Sequence, residues 1–167
     1  MRISIQLLDN SILVAHNKIM KNKIKKAQVV LVAIDKNSRS FNFLLLKTNA
    51  KRGSFWQNVT GKIEEGETIE EGGLREAIEE TGLNIHHIVD IINLGLKFEF
   101  TDQRERKVHE ECFMVILDDL WEVKIDPHEH EAFKWVMLED ISLSSVKYPS
   151  NYEALQKAIN ILRQWVG

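Results

Sequence analysis

The sequence feature that most constrains the fold is a capped, strongly acidic helix predicted within residues 61–83. This stretch reads GKIEEGETIEEGGLREAIEETGL and holds eight glutamates against one lysine and one arginine. Thr68 and Glu71 have the spacing of a capping box, which marks the first turn of a helix. Gly82 stands where helices commonly end in a left-handed residue. The sequence therefore predicts a helix over about 68–81, and the rest of the chain must supply a surface on which it packs.

Apolar runs separated by turns flank this helix. We predict strands for AQVVLVAID, FNFLLLK, LNIHHIVDIINLGLKFEF, KVHEECFMVIL and EAFKWVML, and a polar loop with aromatic residues for TNAKRGSFWQNVT. The segment SNYEALQKAINILRQWV is predicted as a terminal helix that opens on a Ser150/Glu153 capping box. The order of strands, helix, strands and helix predicts the α/β class, with a mixed sheet covered by helices in one domain, 1–167. Residues 1–25 are predicted to be an added N-terminal hairpin.

The composition restricts the class of protein. A chain of 167 residues, 44% hydrophobic and 28% charged, can bury the core of one globular domain. Its single cysteine, Cys112, excludes an internal disulfide framework and is compatible with a reducing compartment. No apolar run approaches the roughly 20 residues that span a bilayer, and the N-terminus lacks a signal-peptide core. We therefore expect a cytoplasmic protein that binds no membrane.

Five lysines near the N-terminus raise the question of nucleic acid binding. They are Lys18, Lys21, Lys23, Lys25 and Lys26. No aromatic residues are interleaved with them, and the sequence pI is about 6.1. A solvated linker or strand edge is the favoured interpretation, and no nucleic acid partner is expected.

The acidic helix places three carboxylates on one face. Glu76, Glu79 and Glu80 stand at i, i+3 and i+4. Like charges at this spacing destabilise a helix by a few tenths of a kcal/mol per pair. Gly72 and Gly73 each lower the helix propensity by about 1 kcal/mol relative to alanine. A solvated face is one interpretation. The other is a hard divalent cation, which takes carboxylate oxygens as ligands.

The fixed offsets around these carboxylates favour the second interpretation. From Gly61 to Leu83 the chain follows the pattern G-x5-E-x7-REAIEETGL. This pattern resembles the Nudix box, G-x5-E-x7-R-E-U-x-E-E-x-G-U, where U is a bulky aliphatic residue. Every fixed polar and glycine position matches, and Ala77 departs at the first U. Flanking segments resemble the branch that hydrolyses dihydroneopterin triphosphate and deoxynucleoside triphosphates, so the resemblance covers about 27–165.

The resemblance implies a fold, an activity and a set of metal ligands. The fold is an α/β/α sandwich, and the activity is Mg²⁺- or Mn²⁺-dependent hydrolysis of a phosphoanhydride. The substrate is a small nucleotide or pterin triphosphate, and the products are the monophosphate and pyrophosphate. The implied metal ligands are Glu76, Glu79, Glu80 and the carbonyl of Gly61. The resemblance also implies that Arg75 pairs with Glu67 and orients the carboxylates. It further implies that Glu76 and Glu79 take part in catalysis.

A further catalytic carboxylate is expected outside the box. In many family members it is a general base or an additional ligand, and we expect it in KVHEECF. Glu110 is the first candidate and is expected to face the metal cluster, with Phe113 pointing to the opposite side, into an apolar layer. Glu111 is the alternative, because neighbouring strand residues point to opposite faces.

Substrate contacts are expected in the loop before the box. Trp56 either stacks on a base or pterin or packs in the core, and Gln57 beside it is a second candidate contact. Lys47 either reaches phosphate or is solvated. Trp135, on an apolar strand, is expected in the core.

Three other functions and one other metal stay open. A dinucleoside polyphosphate hydrolase or an RNA 5′-end pyrophosphohydrolase would need a wide basic groove, of which the sequence shows little. A non-catalytic Nudix domain would generally have lost box glutamates, and all are present here. The cluster at 128–131 lacks the cysteines of a zinc site, while Glu129-His130 before a Phe-x-Trp strand is common near the substrate mouth in this family. A homodimer is left open.

Overall fold

The computed structural model describes residues 23–166. The hairpin predicted for residues 1–25 therefore lies almost entirely outside the described residues. Within them the strands are β1 Lys23–Ile34, β2 Phe41–Thr48, β3 Trp56–Gln57, β4 Val59–Lys62, β5 Ile88–Thr101, β6 Lys107–Leu117 and β7 His130–Met137. The α-helices are α1 Ile69–Thr81 and α2 Pro149–Val166. Short 3-10 turns occur at 50–52, 85–87, 138–140 and 143–145.

The strands form one mixed sheet around β1. On one side, β6 runs parallel to β1 in unbroken register from Lys23↔Lys107 to Ala33↔Leu117, and β5 extends the sheet antiparallel to β6. On the other side, β1 pairs antiparallel with β4 along its first half and with β2 near its end. Strand β2 also pairs with β3 and β7. The mixed sheet expected from the element order is confirmed.

The two helices cover opposite faces of this sheet. Alternate residues of β1 divide between two apolar layers, as side chains of a strand must. One layer holds Val29 and Leu31 together with Ala77 of α1. The other holds Val30 and Val32 together with five residues of α2, which are Ala154, Leu155, Ala158, Ile159 and Leu162. The sandwich of two helical layers around one sheet is the fold that the sequence predicted.

Helix α1 begins and ends at its predicted caps. Thr68 and Glu71 form the reciprocal capping box, and Gly82 is left-handed, with φ at +67°. A Cβ on Gly73 would lie 2.5 Å from a ring carbon of Phe113 and 3.0 Å from the Cβ of Ala27. Glycine at this position therefore brings the helix close to the sheet, and packing compensates for the lower helix propensity.

Two local predictions are wrong. The segment predicted as a polar loop contains β3 and the first two residues of β4, and both strands form because β2 and β1 offer them partners. Helix α2 begins at Pro149, so Ser150 lies inside its first turn and not at the N-cap. Proline suits this first position because its missing N–H would have no helical partner. No helix in the range 23–166 is both long and apolar enough to cross a membrane.

Candidate metal and substrate site

The site is built where α1 lies against β4. Gly61 of β4 pairs with Ala27 of β1, and the side chain of Glu76 lies directly over it. A Cβ on residue 61 would overlap the Cβ, Cγ and Cδ atoms of Glu76. Only glycine leaves room for this carboxylate beside the strand.

Arg75 connects the acidic side chains of the loop and the helix. Its guanidinium donates to both oxygens of Glu67, at 2.7 and 3.1 Å, and to the carbonyl of Lys62 at 2.9 Å. It also donates to Glu76 at 2.9 Å and to Glu79 at 3.3 Å. The Arg75 guanidinium and the backbone N–H of Glu64 lower the pKa of Glu67 to about 2. This arrangement holds the carboxylates of the helix in a fixed orientation.

The three carboxylates of α1 differ sharply in burial. The side chain of Glu79 is 59% exposed, whereas Glu80 as a residue is only 4% exposed. Burial, together with the charges of Glu129 and Glu76, raises the pKa of Glu80 to about 9. Burial is also the main cause that raises the pKa of Glu76. One oxygen of Glu80 accepts no hydrogen bond within the described part of the chain.

Glu129, in the loop before β7, and His130, the first residue of β7, join this group, and neither was predicted as a site residue. Among the charged groups, Glu129 raises the pKa of Glu80 most. Glu129 also forms an ion pair with Arg52 at 3.1 Å. His130 is 1% exposed, and its Nε2 lies 3.9 Å from an oxygen of Glu80. The available sequence signal was the Glu129-His130 pair ahead of a Phe-x-Trp strand.

These side chains fit a hard divalent cation. Carboxylate oxygens dominate the group, and Mg²⁺ and Mn²⁺ prefer oxygen ligands. The partnerless oxygen of Glu80 is an orphaned buried ligand atom of the kind that a cation would satisfy. Among residues 23–166, no three acidic, histidine or cysteine side chains already converge into a metal cage. Arg75 donates to one oxygen of Glu76 and one oxygen of Glu79, which leaves the other oxygen of each carboxylate available to a cation.

The structure does not bring Glu110 to this group, so its predicted orientation is wrong. Phe113 does point opposite to Glu110, but it lies in the layer beneath α1. Glu110 therefore shares the other face with Cys112 and Met114, which pack with α2. The alternation along the strand was predicted correctly. Tertiary packing decides which face of the sheet is covered by α1. The sequence of the strand alone does not show this.

Glu110 takes part in a buried polar network instead. It accepts a hydrogen bond from Gln28 at 2.8 Å, and Gln28 accepts one from Asn58, also at 2.8 Å. The backbone N–H of Asn58 donates to the side chain of Asn151 on α2 at 2.8 Å. Burial raises the pKa of Glu110 despite the bond from Gln28. The network joins the sheet to the start of α2. Glu111, the alternative, forms bonds with His109 at 2.9 Å and Lys97 at 3.5 Å.

The predicted substrate contacts are divided between the two faces. Lys47 and Trp56 are paired residues of β2 and β3, and Trp56 packs against the layer under α2. Lys47 forms an ion pair with Glu131 at 2.7 Å, and Lys134 lies 4.3 Å from the Trp56 ring centroid. Gln57 is buried beside Leu46, a residue of the layer under α1. Their role in substrate binding stays a prediction.

Trp135 packs where the sequence placed it. It contacts the apolar layer under α1 and meets Trp121 edge to face, with ring centroids 4.9 Å apart. Trp135 is therefore partly buried and packs against the core.

This chain matches one domain family and several proteins of known sequence. The model of the NUDIX domain matches residues 25–158. Dihydroneopterin triphosphate diphosphatase of Escherichia coli K12 is 30% identical over 129 residues, which are 70% of this chain and 83% of that protein. An octanoyltransferase of Myxococcus xanthus is 34% identical over 96 residues, which are 56% of this chain. This chain spans only about a quarter of that protein, 26%.

Solved structures show the same fold. The E. coli dihydroneopterin triphosphate pyrophosphohydrolase aligns with a TM-score of 0.67 and 24% identity, covering 82% of this chain and 95% of that one. An Ap4A hydrolase of C. elegans, in a binary complex, aligns with a TM-score of 0.67 and 21% identity, covering 84% and 98%. At these identities the likeness concerns the fold alone. With the domain match over most of its length, the chain belongs to the Nudix hydrolase family.

Proposed function

We propose that this protein is a divalent-metal-dependent hydrolase of a phosphoanhydride bond. The substrate is a nucleoside triphosphate or dihydroneopterin triphosphate, and the products are the monophosphate and pyrophosphate. The observation that carries the proposal is the nearly buried carboxylate of Glu80, with a partnerless oxygen, on the same helix as Glu76 and Glu79. Without metal, burial keeps this carboxyl group protonated, and a divalent cation that takes the place of the proton would satisfy the buried oxygen.

Each residue of the site has a distinct part in the proposed reaction. Glu76, Glu79, Glu80 and the Gly61 carbonyl would hold Mg²⁺ or Mn²⁺. That ion, when bound, neutralises phosphate charge and lowers the pKa of a coordinated water. Arg75, anchored by Glu67, keeps the carboxylates oriented as a supporting contact.

Glu129 is the carboxylate that we assign to the role first expected of Glu110. It lies outside the box, its charge raises the pKa of Glu80, and it forms an ion pair with Arg52. Its side chain is 34% exposed, so water and substrate can reach it. Glu129 would serve as an added ligand or would accept the proton of the attacking water at a carboxylate oxygen.

The choice of substrate rests on the sequence relative. The E. coli protein named for dihydroneopterin triphosphate matches across 83% of its length, which supports a triphosphate substrate. A dinucleoside polyphosphate is the alternative substrate, and the Ap4A hydrolase resembles this chain in fold alone. A non-catalytic domain is disfavoured because all box glutamates are retained. A cytoplasmic location and a homodimer stay predictions.

A substrate panel tests the proposal. Purified protein is incubated with Mg²⁺ or Mn²⁺ and with dihydroneopterin triphosphate, nucleoside triphosphates or a dinucleoside polyphosphate. Phosphate is measured with and without added inorganic pyrophosphatase. We expect signal only with pyrophosphatase, together with a monophosphate product. Orthophosphate released alone, with a diphosphate accumulating, would contradict the proposed bond cleavage.

A further inference from the structure

His130 and Glu80 face each other in the interior without a hydrogen bond. The two residues are 1% and 4% exposed, and His130 Nε2 lies 3.9 Å from Glu80 Oε2. Neither ring nitrogen of His130 has a partner among the described residues, nor does that oxygen of Glu80. A buried polar group without a hydrogen-bond partner destabilises the folded state. A chain that retains both groups at this cost has a use for them outside simple packing.

The backbone fixes His130 in front of Glu80. His130 is the first residue of β7, and its N–H donates to the Asp126 carbonyl at 2.8 Å. It pairs with Thr48 across an irregularity in the β2–β7 register. Asn49 binds the same loop twice, to the Glu129 carbonyl at 2.9 Å and to the His128 carbonyl at 2.7 Å. The position of the ring therefore does not depend on a partner for its nitrogens.

The chemistry of the two groups is complementary. A neutral imidazole has one N–H donor and one acceptor nitrogen, so His130 can donate from Nε2. A carboxylate offers acceptors on both oxygens. A donor–acceptor distance of about 2.7–3.2 Å requires a movement of roughly 1 Å, within reach of a side-chain rotation.

We propose that His130 is a positioning residue for Glu80: its Nε2–H donates to one carboxylate oxygen and thereby turns the other toward the divalent cation. This inference rests on the proposed function, because it assigns Glu80 to metal binding. A hydrogen bond from the protein to a ligating carboxylate fixes the orientation of the ligand, and losing such a bond weakens metal affinity. His130 does not touch the cation or the substrate.

Three variants separate this role from a structural one. His130→Leu removes the donor and fills the space, His130→Gln restores an N–H near the position of Nε2, and His128→Leu changes an exposed histidine of the same loop. Mn²⁺ binding without substrate is measured by electron paramagnetic resonance of the free ion. Thermal melting is measured after metal removal by a chelator.

We expect His130→Leu to weaken Mn²⁺ binding about 10–100-fold. Its metal-free Tm should equal or exceed that of the wild type, because an unpartnered buried polar group has been replaced by an apolar one. His130→Gln should recover most of the affinity, and His128→Leu should change neither quantity. If His130 only filled the core, its replacement would not be expected to weaken Mn²⁺ binding while the metal-free Tm stayed equal or rose.

Three results would overturn the inference. They are unchanged Mn²⁺ binding in His130→Leu, a loss of binding that only follows a fall in Tm, or a His130→Gln variant as weak as His130→Leu. The proposed function fails separately. If the wild type binds no Mn²⁺, or if Glu80→Gln binds it as the wild type does, the metal site itself is wrong.

Discussion

At the scale of single residues, burial distinguishes glutamates that stand close together on one helix. Glu79 is exposed and Glu80 is almost fully enclosed, with Glu76 between them in burial. The enclosed carboxylate has its pKa raised to about 9, so at neutral pH the metal-free protein holds a proton there that the unfolded chain releases. A cation that replaces this proton would remove the cost of ionising Glu80.

The first prediction concerns the pH dependence of stability without metal. The pKa of Glu80 is about 9 in the folded protein, against 4.5 as its ordinary value. Between these values the folded state binds one more proton than the unfolded state. Stability therefore falls as pH rises through this window, by at most about 1.4 kcal/mol per pH unit.

Glu80→Gln should flatten the decline and raise the Tm at pH 8, and Glu79→Gln should do neither. Melting curves in chelator from pH 5.5 to 8.5 would show this, and parallel curves for wild type and Glu80→Gln would disprove it.

The second prediction ranks the carboxylates outside the box. Glu129→Gln should lower turnover by about 10²–10⁴, the usual contribution of acid–base assistance. Glu110→Gln and Glu111→Gln should be mild, because their partners are Gln28 and His109 and not the helix carboxylates. Steady-state rates at saturating Mg²⁺ provide the comparison. A severe Glu110→Gln variant beside a mild Glu129→Gln variant would return the role to the residue first expected.

At the scale of elements, close contact between α1 and the sheet determines the position of the carboxylates. Gly61 leaves room for the Glu76 side chain, and Gly73 lies against Phe113 and Ala27. The caps of α1 were predictable because capping is a local interaction between residues three apart. Strands β3 and β4 were not, because elements of two and four residues form through partners distant in sequence.

The third prediction tests this close packing. In an ordinary helix Gly→Ala stabilises by about 1 kcal/mol. Gly73→Ala should instead destabilise by roughly 1–3 kcal/mol, because its Cβ would meet the Phe113 ring at 2.5 Å. Urea unfolding measures the change. The double variant with Phe113→Leu should lose less than the sum of the two single losses. A stabilised Gly73→Ala variant would show that the helix does not approach so closely.

At the scale of the whole molecule, the sheet brings the box and the loop before β7 together from distant parts of the chain. Glu80 and His130 are 50 positions apart in sequence, yet their side chains face each other at 3.9 Å. The box pattern predicted the first group from sequence alone. The second had only a weak sequence signal, the Glu129-His130 pair before a Phe-x-Trp strand, and its position beside Glu80 could be recognised only from the fold. The position of Glu110 also had to be read from the fold, because its side of the sheet is the one that α2 covers.

The most direct measurement is the rate of pyrophosphate release from a triphosphate that the wild type hydrolyses, at saturating Mg²⁺. Wild type, Glu79→Gln and Glu80→Gln are compared, with Glu70→Gln as a control at another glutamate of the same helix. If the helix carboxylates hold the catalytic cation, both site variants lose orders of magnitude in rate, keep the fold and retain a metal-free Tm at or above the wild-type value. The control keeps the wild-type rate. Near-wild-type turnover in Glu79→Gln and Glu80→Gln would contradict a catalytic metal site on this helix.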